Sequence, residues 1–453
     1  YNPLKMARTS STLISNKFNL KTYIPENMII KNQRETESCW TFSSLGALET
    51  NLALQDYYNN KEVKNYDFSE RHMEYATTRK FLNDEINENG FYREIDAGGS
   101  NSLALAYLTN GTGAIAEKDM PFKNSTEKIE LKEIQNKEVI SEIYDTTEFP
   151  STISEEKNKL KEFIKNNGGI STGIHEPVDS TDKSLNRITG AVYCNNANTY
   201  ISNHAVLIVG WDDDYSIENF SEGMKPTNKG AWIVKDSHGT NAEWSITIDE
   251  YRNILFESNK SYYESVGITE ASQIPDNQIS QSIQKNGYIL ENEKVRIPHN
   301  DDGYLYVSYE DANIYSSLLG IYKSENSTDY ENIYQYNKFG NNTPIPFIKN
   351  KIYLANIFEK NTNSKEYLTQ VSISTPETVT CKVYVNPNGE SKSKNDLQLV
   401  QLKAGESETF DAGYHTMEFS KPIEITGNKF VVVVEIQGKR NDALNISTEC
   451  NYV

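Results

Sequence analysis

Hydrophobic positions change their period twice along this chain of 453 residues. After Cys39 they recur at roughly helical spacing, with Phe42, Leu45, Ala47, Leu48, Leu52 and Leu54 in one run. Helical spacing dominates from 40 to 130. Ser69, just ahead of Glu70, is placed to cap a second helix there. From 168 the apolar residues gather into short strand-like runs, at Gly168 to Ile174, Ala205 to Val209 and Trp232 to Val234. After about 325 the texture changes again. Lys351 to Phe358, Leu368 to Ile373, Thr380 to Val385 and Phe430 to Ile436 read as strands separated by turn residues, which predicts an all-β sandwich. The Gln-, Asn- and Ser-rich stretch 272–287 reads as a connector.

A chain of this length exceeds one hydrophobic core, so two or three domains are expected. The net charge of −19 argues against nucleic acid or an anionic membrane surface as a partner. No apolar run reaches the ~20 residues of a membrane span. Tyr (29) far outnumbers Trp (4), which suits a soluble protein with a long β-rich portion. Four cysteines are too few for a disulfide framework. Cys194 has no evident partner; Cys381 and Cys450 either pair or stay free.

The candidate chemistry begins at Gln33-Arg34-Glu35-Thr36-Glu37-Ser38-Cys39-Trp40-Thr41-Phe42-Ser43. Ser38 offers an N-cap, so Cys39 opens a helix and meets the positive end of its dipole, a usual seat for a nucleophilic thiol. Gln33, six residues upstream, can aim a carboxamide at a substrate carbonyl oxygen. Two later segments carry possible partners. Asn203-His204-Ala205-Val206-Leu207-Ile208-Val209-Gly210-Trp211 puts a histidine at a strand start, and Gly230 to Thr240 holds Asp236 and His238. Each residue also has a bland reading: Cys39 a buried structural thiol beside a core Trp40, His204 a satisfied histidine, Gln33 a surface amide.

Together these segments resemble the papain-like cysteine proteases, with Asp96-Ala97-Gly98-Gly99 as a fourth match in the right order. The resemblance implies an α+β two-lobed fold, a helical lobe plus a β-barrel-like lobe, followed by the all-β sandwich. It implies Cys39 as nucleophile, His204 as proton carrier and Gln33 with the Cys39 N–H as oxyanion donors. Asp236 stands where the family has Asn. His238 is a competitor for the role of base, but it occupies the position of the family's shielding Trp. Gly98 and Gly99 would floor the substrate cleft. Gly173 would sit at a specificity pocket, made roomy by its lack of a side chain. Asn203 and His238 complete the expected substrate-binding set. Glu35 and Glu37 either repel acidic substrates or are simply solvated. No catalytic cofactor is implied.

The departures matter too. His204 lies 165 residues after Cys39 and Asp236 lies 197 after it, beyond the usual ~130–150, so insertions are expected. Many relatives bridge a Cys three residues before the nucleophile to one just before the Gly-Gly; this chain has Thr36 and Asp96 there. Residues 1–14 read as a pro-segment remnant or a mature surface tail. The protease domain is expected over 15–325. It closes with Trp244 to Ile248 or, by the stronger motif, with Asp302 to Tyr309, which makes 242–300 an insertion. Residues 326–453 form the sandwich. Gly413-Tyr414-His415-Thr416-Met417 resembles the lectin-like module that follows papain-like domains in clostridial surface proteases that process a surface-layer precursor. The whole resemblance implies a secreted cell-surface endopeptidase acting on a surface protein such as that precursor, with cell-wall glycan as a further partner. It also implies, by likeness to carbohydrate-binding jelly rolls, a structural calcium in the sandwich with no ligands assignable. The Asp212-Asp213-Asp214 run lacks EF-hand spacing and reads as a solvated turn. A surface adhesin with a vestigial protease domain, and a cell-wall peptide hydrolase or transpeptidase, stay as alternatives.

Overall fold

A computed structural model describes residues 14–448 apart from 125–126, 150–156, 178–181, 241–244, 287, 297–301, 326–331, 337, 341–342, 391–392, 406–407 and 441–442. Cys450, Trp244 and all but the last residue of the expected pro-segment lie outside the described residues. The chain folds into two compact units that interleave in sequence. One comprises Tyr1–Asn32, Leu54–Lys64 and Ser151–Ser316; the other comprises Gln33–Ala53, Asn65–Pro150 and Ser317–Val453.

In the first unit the strands Ile170–Ile174, His204–Asp212, Ala231–Lys235 and Tyr304–Ser308 pair antiparallel in that order. Lys17–Asn19 adds to His204–Asp212, and Ala191–Val192 runs parallel beside Tyr304–Ser308. Val206 to Trp211 are all buried, a near-continuous apolar run of the kind a strand covered on both faces requires. The helix Lys157–Asn167 buries Leu160, Phe163 and Ile164 at i, i+3, i+4 and packs on that strand. Each carboxylate of the Asp212–Asp214 run meets a lysine: Lys17 at 2.8 Å, Lys161 at 2.5 Å and Lys229 at 2.5 Å.

Residues 246–296 have their own core. Ile246, Tyr251, Phe256, Tyr263, Ile274, Ile279, Ile283 and Val295 pack together. The helix Ile248–Ser258 starts at a capping box in which Thr247 and Glu250 satisfy each other's backbone N–H groups. The short strand Ile246–Thr247 pairs with Lys294–Arg296, whereas Tyr304–Ser308 is the strand beside Ala231–Lys235 in the main sheet.

The second unit is built around the helix Cys39–Tyr58, whose residues up to Ala53 belong to it. From Trp40 to Leu54 every residue is buried, so this is a core helix on all sides, more enclosed than an apolar stripe predicts. Its polar residues are satisfied inside: Thr50 donates to the Gly46 carbonyl, Asn51 to the Ile321 carbonyl, and Glu49 accepts from the Phe68 N–H. The helix Glu70–Ala76 begins at Ser69, whose hydroxyl accepts from the His72 N–H.

The sandwich core is Val379, Cys381, Val383, Val385, Met417, Phe419, Phe430, Val432, Val434 and Ile436, with neighbours. One sheet runs Lys351–Glu359, Lys429–Gly438, Val379–Asn386. The other pairs Glu366–Thr375 with Gly413–Ile425, which bridges at His415 to Asp145 of the strand Glu142–Phe149; that strand pairs along its length with Leu318–Glu325. His415 fixes the junction by holding Asp145 at 2.5 Å on one ring nitrogen and the Asp411 carbonyl on the other. Cys381 is a free, buried thiol, pushed up to about 12 by burial.

Candidate active site

Cys39 is the first residue of its helix and is half-buried. The helix opens on the Ser38 carbonyl, which accepts from the Thr41 N–H at 2.9 Å. The segment before it is tied to itself. The Gln33 carboxamide donates to the Thr36 carbonyl at 2.7 Å, and the Thr36 hydroxyl donates to the Gln33 carbonyl at 2.7 Å and meets the Ser38 hydroxyl. Gln33 is buried, so its side chain is oriented rather than a free surface amide. Glu35 and Glu37 are exposed.

Where the family's disulfide is missing, a charged hydrogen bond takes over. The Glu37 N–H donates to Asp96 Oδ1 at 2.6 Å, tying the nucleophile segment to the Gly-Gly segment. Arg93 holds the other side. Its guanidinium donates to the Gly98 carbonyl at 2.7 Å and the Ile95 carbonyl at 3.0 Å, and lies 5.4 Å from the ring centre of Trp40. Gly98 has φ +70° with open space around the position of a Cβ. At Gly99 a Cβ would fall 2.3 Å from the Trp40 indole, so the glycine is what lets this backbone rest on the tryptophan.

In the other unit, His204 opens the strand His204–Asp212 and is paired with Ile174 across the sheet. Asp236 follows the neighbouring strand Ala231–Lys235 and is buried. His204 Nε2 lies 2.7 Å from Asp236 Oδ1, and His238 Nδ1 lies 2.9 Å from Asp236 Oδ2. One carboxylate thus serves two imidazoles, whose ring centres are 4.9 Å apart. Burial pushes Asp236 up, but the charges and hydrogen bonds of His238 and His204 outweigh it and hold the carboxyl well below the usual carboxylate range. Burial lowers His238, and the Asp236 charge and hydrogen bond, with Glu176, overcome it and leave its basicity raised.

The expected substrate-binding residues divide. Asn203 is committed to the backbone: its carbonyl accepts from the Glu176 N–H at 2.7 Å and its amide donates to the Glu176 carbonyl at 2.9 Å. Gly173 does not open a roomy pocket, because a Cβ there would lie 2.3 Å from the Ser202 hydroxyl. The missing side chain makes room for Ser202. Sequence reasoning missed Glu176, whose carboxylate lies 3.7 Å from His204 Nδ1 and 3.8 Å from His238 Nδ1. The signal was the register: residues just after Ile174 must flank His204. It also missed Arg93 and the role of Asp96.

Comparison with known proteins identifies the family. The papain family cysteine protease model matches residues 16–275, more than half of the chain, and a lectin-like domain model matches 333–452. Bos taurus cathepsin S is 27% identical over 210 residues, 46% of this chain and 52% of that protein. Sarcophaga peregrina cathepsin L is 26% identical over 250 residues, 54% of this chain and 59% of that protein. The chain thus spans about half the length of the curated relatives it matches. The solved structure of the cysteine protease and lectin-like domains of Cwp84, a surface layer associated protein of Clostridium difficile, superposes with TM-score 0.67 at 22% identity, covering 96% of this chain and 78% of that one. The clostridial Cwp84 after propeptide cleavage gives TM-score 0.69 at 22% identity, covering 96% and 89%. At that identity the likeness is one of fold, and it is the fold class expected from the sequence, a papain-like protease followed by a lectin-like β-rich domain. The chain belongs to the papain family of cysteine proteases, with a lectin-like domain following the protease region.

Proposed function

We propose that the chain is a cysteine endopeptidase of a bacterial cell surface that cleaves surface proteins such as a surface-layer precursor. Cys39 attacks the scissile carbonyl; His204 carries the thiol proton to the departing amine and then takes one from the water that releases the acyl group. Gln33 and the Cys39 N–H stabilise the oxyanion, and one such donor is worth about 3–4 kcal/mol in the transition state. Gly98 and Gly99 offer backbone to an extended substrate.

The observation that carries the reading is the buried Asp236 carboxylate 2.7 Å from His204 Nε2. It fixes that nitrogen as the protonated one, orients the ring, and stabilises the imidazolium that the reaction forms, as a carboxylate does in Ser-His-Asp triads. The surface location draws on the likeness in fold to a surface layer associated protein and on the lectin-like domain. Among the described residues no helix is long and apolar enough to cross a membrane. The test is incubation of the purified chain with a surface-layer precursor, with Cys39→Ala as control. Cleavage by the wild type alone supports the proposal. An intact precursor, alongside cleavage of short peptides, would keep the peptidase and remove the substrate.

A further inference from the structure

We propose that Glu176, His204 and His238 form a binding site for a divalent transition-metal ion of the zinc class, and that occupancy switches the enzyme off. One ligand atom from each of the three residues lies within 4.8 Å of the other two. The Glu176 carboxylate spans the pair, one oxygen 3.7 Å from His204 Nδ1 and the other 3.8 Å from His238 Nδ1. Both distances are too long for a hydrogen bond. Arms of about 2.0–2.2 Å around a tetrahedral zinc put its ligand atoms roughly 3.4 Å apart, so the carboxylate stands within a few tenths of an ångström of the spacing two ligands of one ion require.

The chemistry of the set fits. Two imidazoles and a carboxylate are a common ligand group for zinc, and they leave a position open for water or a further ligand. The support behind His204 and Glu176 is already built. Asp236 accepts from Nε2 of His204 and leaves Nδ1 for the ion, the carboxylate–histidine arrangement that stiffens a metal-bound imidazole; Nδ1 of His238 lies 2.9 Å from the same carboxylate, so His238 gives up that bond when this nitrogen binds an ion. Glu176 is held by its own backbone, both of whose polar groups bond the Asn203 amide. The site opens to solvent at its rim, where the Glu176 side chain is 38% exposed and His238 28%, while His204 is 3% exposed. His238 stands where the family has Trp, so this ligand set is a property of this chain and not of the family pattern.

Binding does not depend on the peptidase reading. Inhibition does, because a metal-bound His204 cannot carry protons. The experiment therefore measures both. Zinc binding to the full chain carrying Cys39→Ser, which removes the thiol as a ligand, is measured by calorimetry and by competition with a chromogenic chelator near pH 7.5. One ion per chain is expected, with Glu176→Gln and His238→Trp each weakening affinity at least about tenfold in variants that keep the parent circular dichroism. Zinc should also inhibit the wild-type chain on a peptide substrate, reversibly by chelator. No saturable binding, or binding insensitive to both substitutions, or binding lost with Cys39→Ser, would overturn the site. Zinc bound at this site with turnover unchanged would instead overturn the role of His204.

Discussion

Replacing Asp96 by alanine should loosen the nucleophile segment without touching a catalytic group. The bond removed is a backbone N–H to a carboxylate, Glu37 to Asp96 Oδ1 at 2.6 Å. Hydrogen bonds to charged groups contribute about 1.5–3 kcal/mol, and with Asp96 half-buried and Glu37 exposed the lower end applies. About 1.4 kcal/mol is a tenfold change in an equilibrium. If the bond is what keeps residues 33–38 in place, kcat/KM on a fluorogenic peptide should fall by up to about tenfold in Asp96→Ala. The Glu37 amide should exchange its hydrogen correspondingly faster. The double variant Thr36→Cys, Asp96→Cys restores the family's bridge. Oxidised, it should recover activity; reduced, it should not, since neither a bridge nor the Asp96 carboxylate then joins the two segments. Wild-type kcat/KM together with unchanged exchange at Glu37 in Asp96→Ala would show that this bond does not hold the nucleophile segment in place.

Other predictions follow from the same geometry. Asp236→Asn should keep activity within about tenfold, because an amide oxygen still accepts from His204 Nε2, whereas Asp236→Ala should lose about 100-fold through misorientation of the ring; equal activity of the alanine variant and wild type would remove Asp236 from the reaction. Gly99→Ala should cost about 1–3 kcal/mol of stability by driving into Trp40, more than Gly98→Ala, which meets open space and bears only the left-handed backbone; denaturant midpoints rank them, and the reverse order refutes the packing. His72 is buried between the Tyr107 hydroxyl and the Ile134 carbonyl, and burial lowers it to about 4. The unfolded chain therefore binds the proton first as pH falls. Stability is full above about 6.5 and declines by roughly 3 kcal/mol toward pH 4, a loss that His72→Gln should reduce in urea titrations; an unchanged decline in that variant would refute it.

Local signals in the sequence were strong where one element carries the chemistry. The apolar run after Cys39, the Gln33 spacing and the buried strand after His204 are patterns within about ten residues, and period alone places them. The sandwich strands were legible for the same reason. What local pattern does not encode is partner choice. Glu142–Phe149 keeps Thr146 and Thr147 buried, so it lacks an apolar alternation, and its pairing with Leu318–Glu325 joins residues 169 to 183 positions apart. Glu176 becomes legible only once Ile174 is known to face His204. Gly173 misled because an absent side chain says nothing about what fills its space, here the Ser202 hydroxyl. Asp96 was visible as a lost cysteine, but its bond to the Glu37 N–H depends on how two distant loops meet.

Cys39 is the proposed nucleophile of a peptidase. Three free thiols stand among the described residues, Cys39, Cys194 and Cys381; the latter two are buried, and burial pushes both thiols up. Treatment with an epoxide inhibitor of papain-like enzymes, followed by peptide mass spectrometry, separates them. One label per chain is expected, on Cys39, with peptide hydrolysis lost in step with labelling and absent in Cys39→Ala. Labelling at Cys194 or Cys381, or hydrolysis that persists in Cys39→Ala, would contradict it.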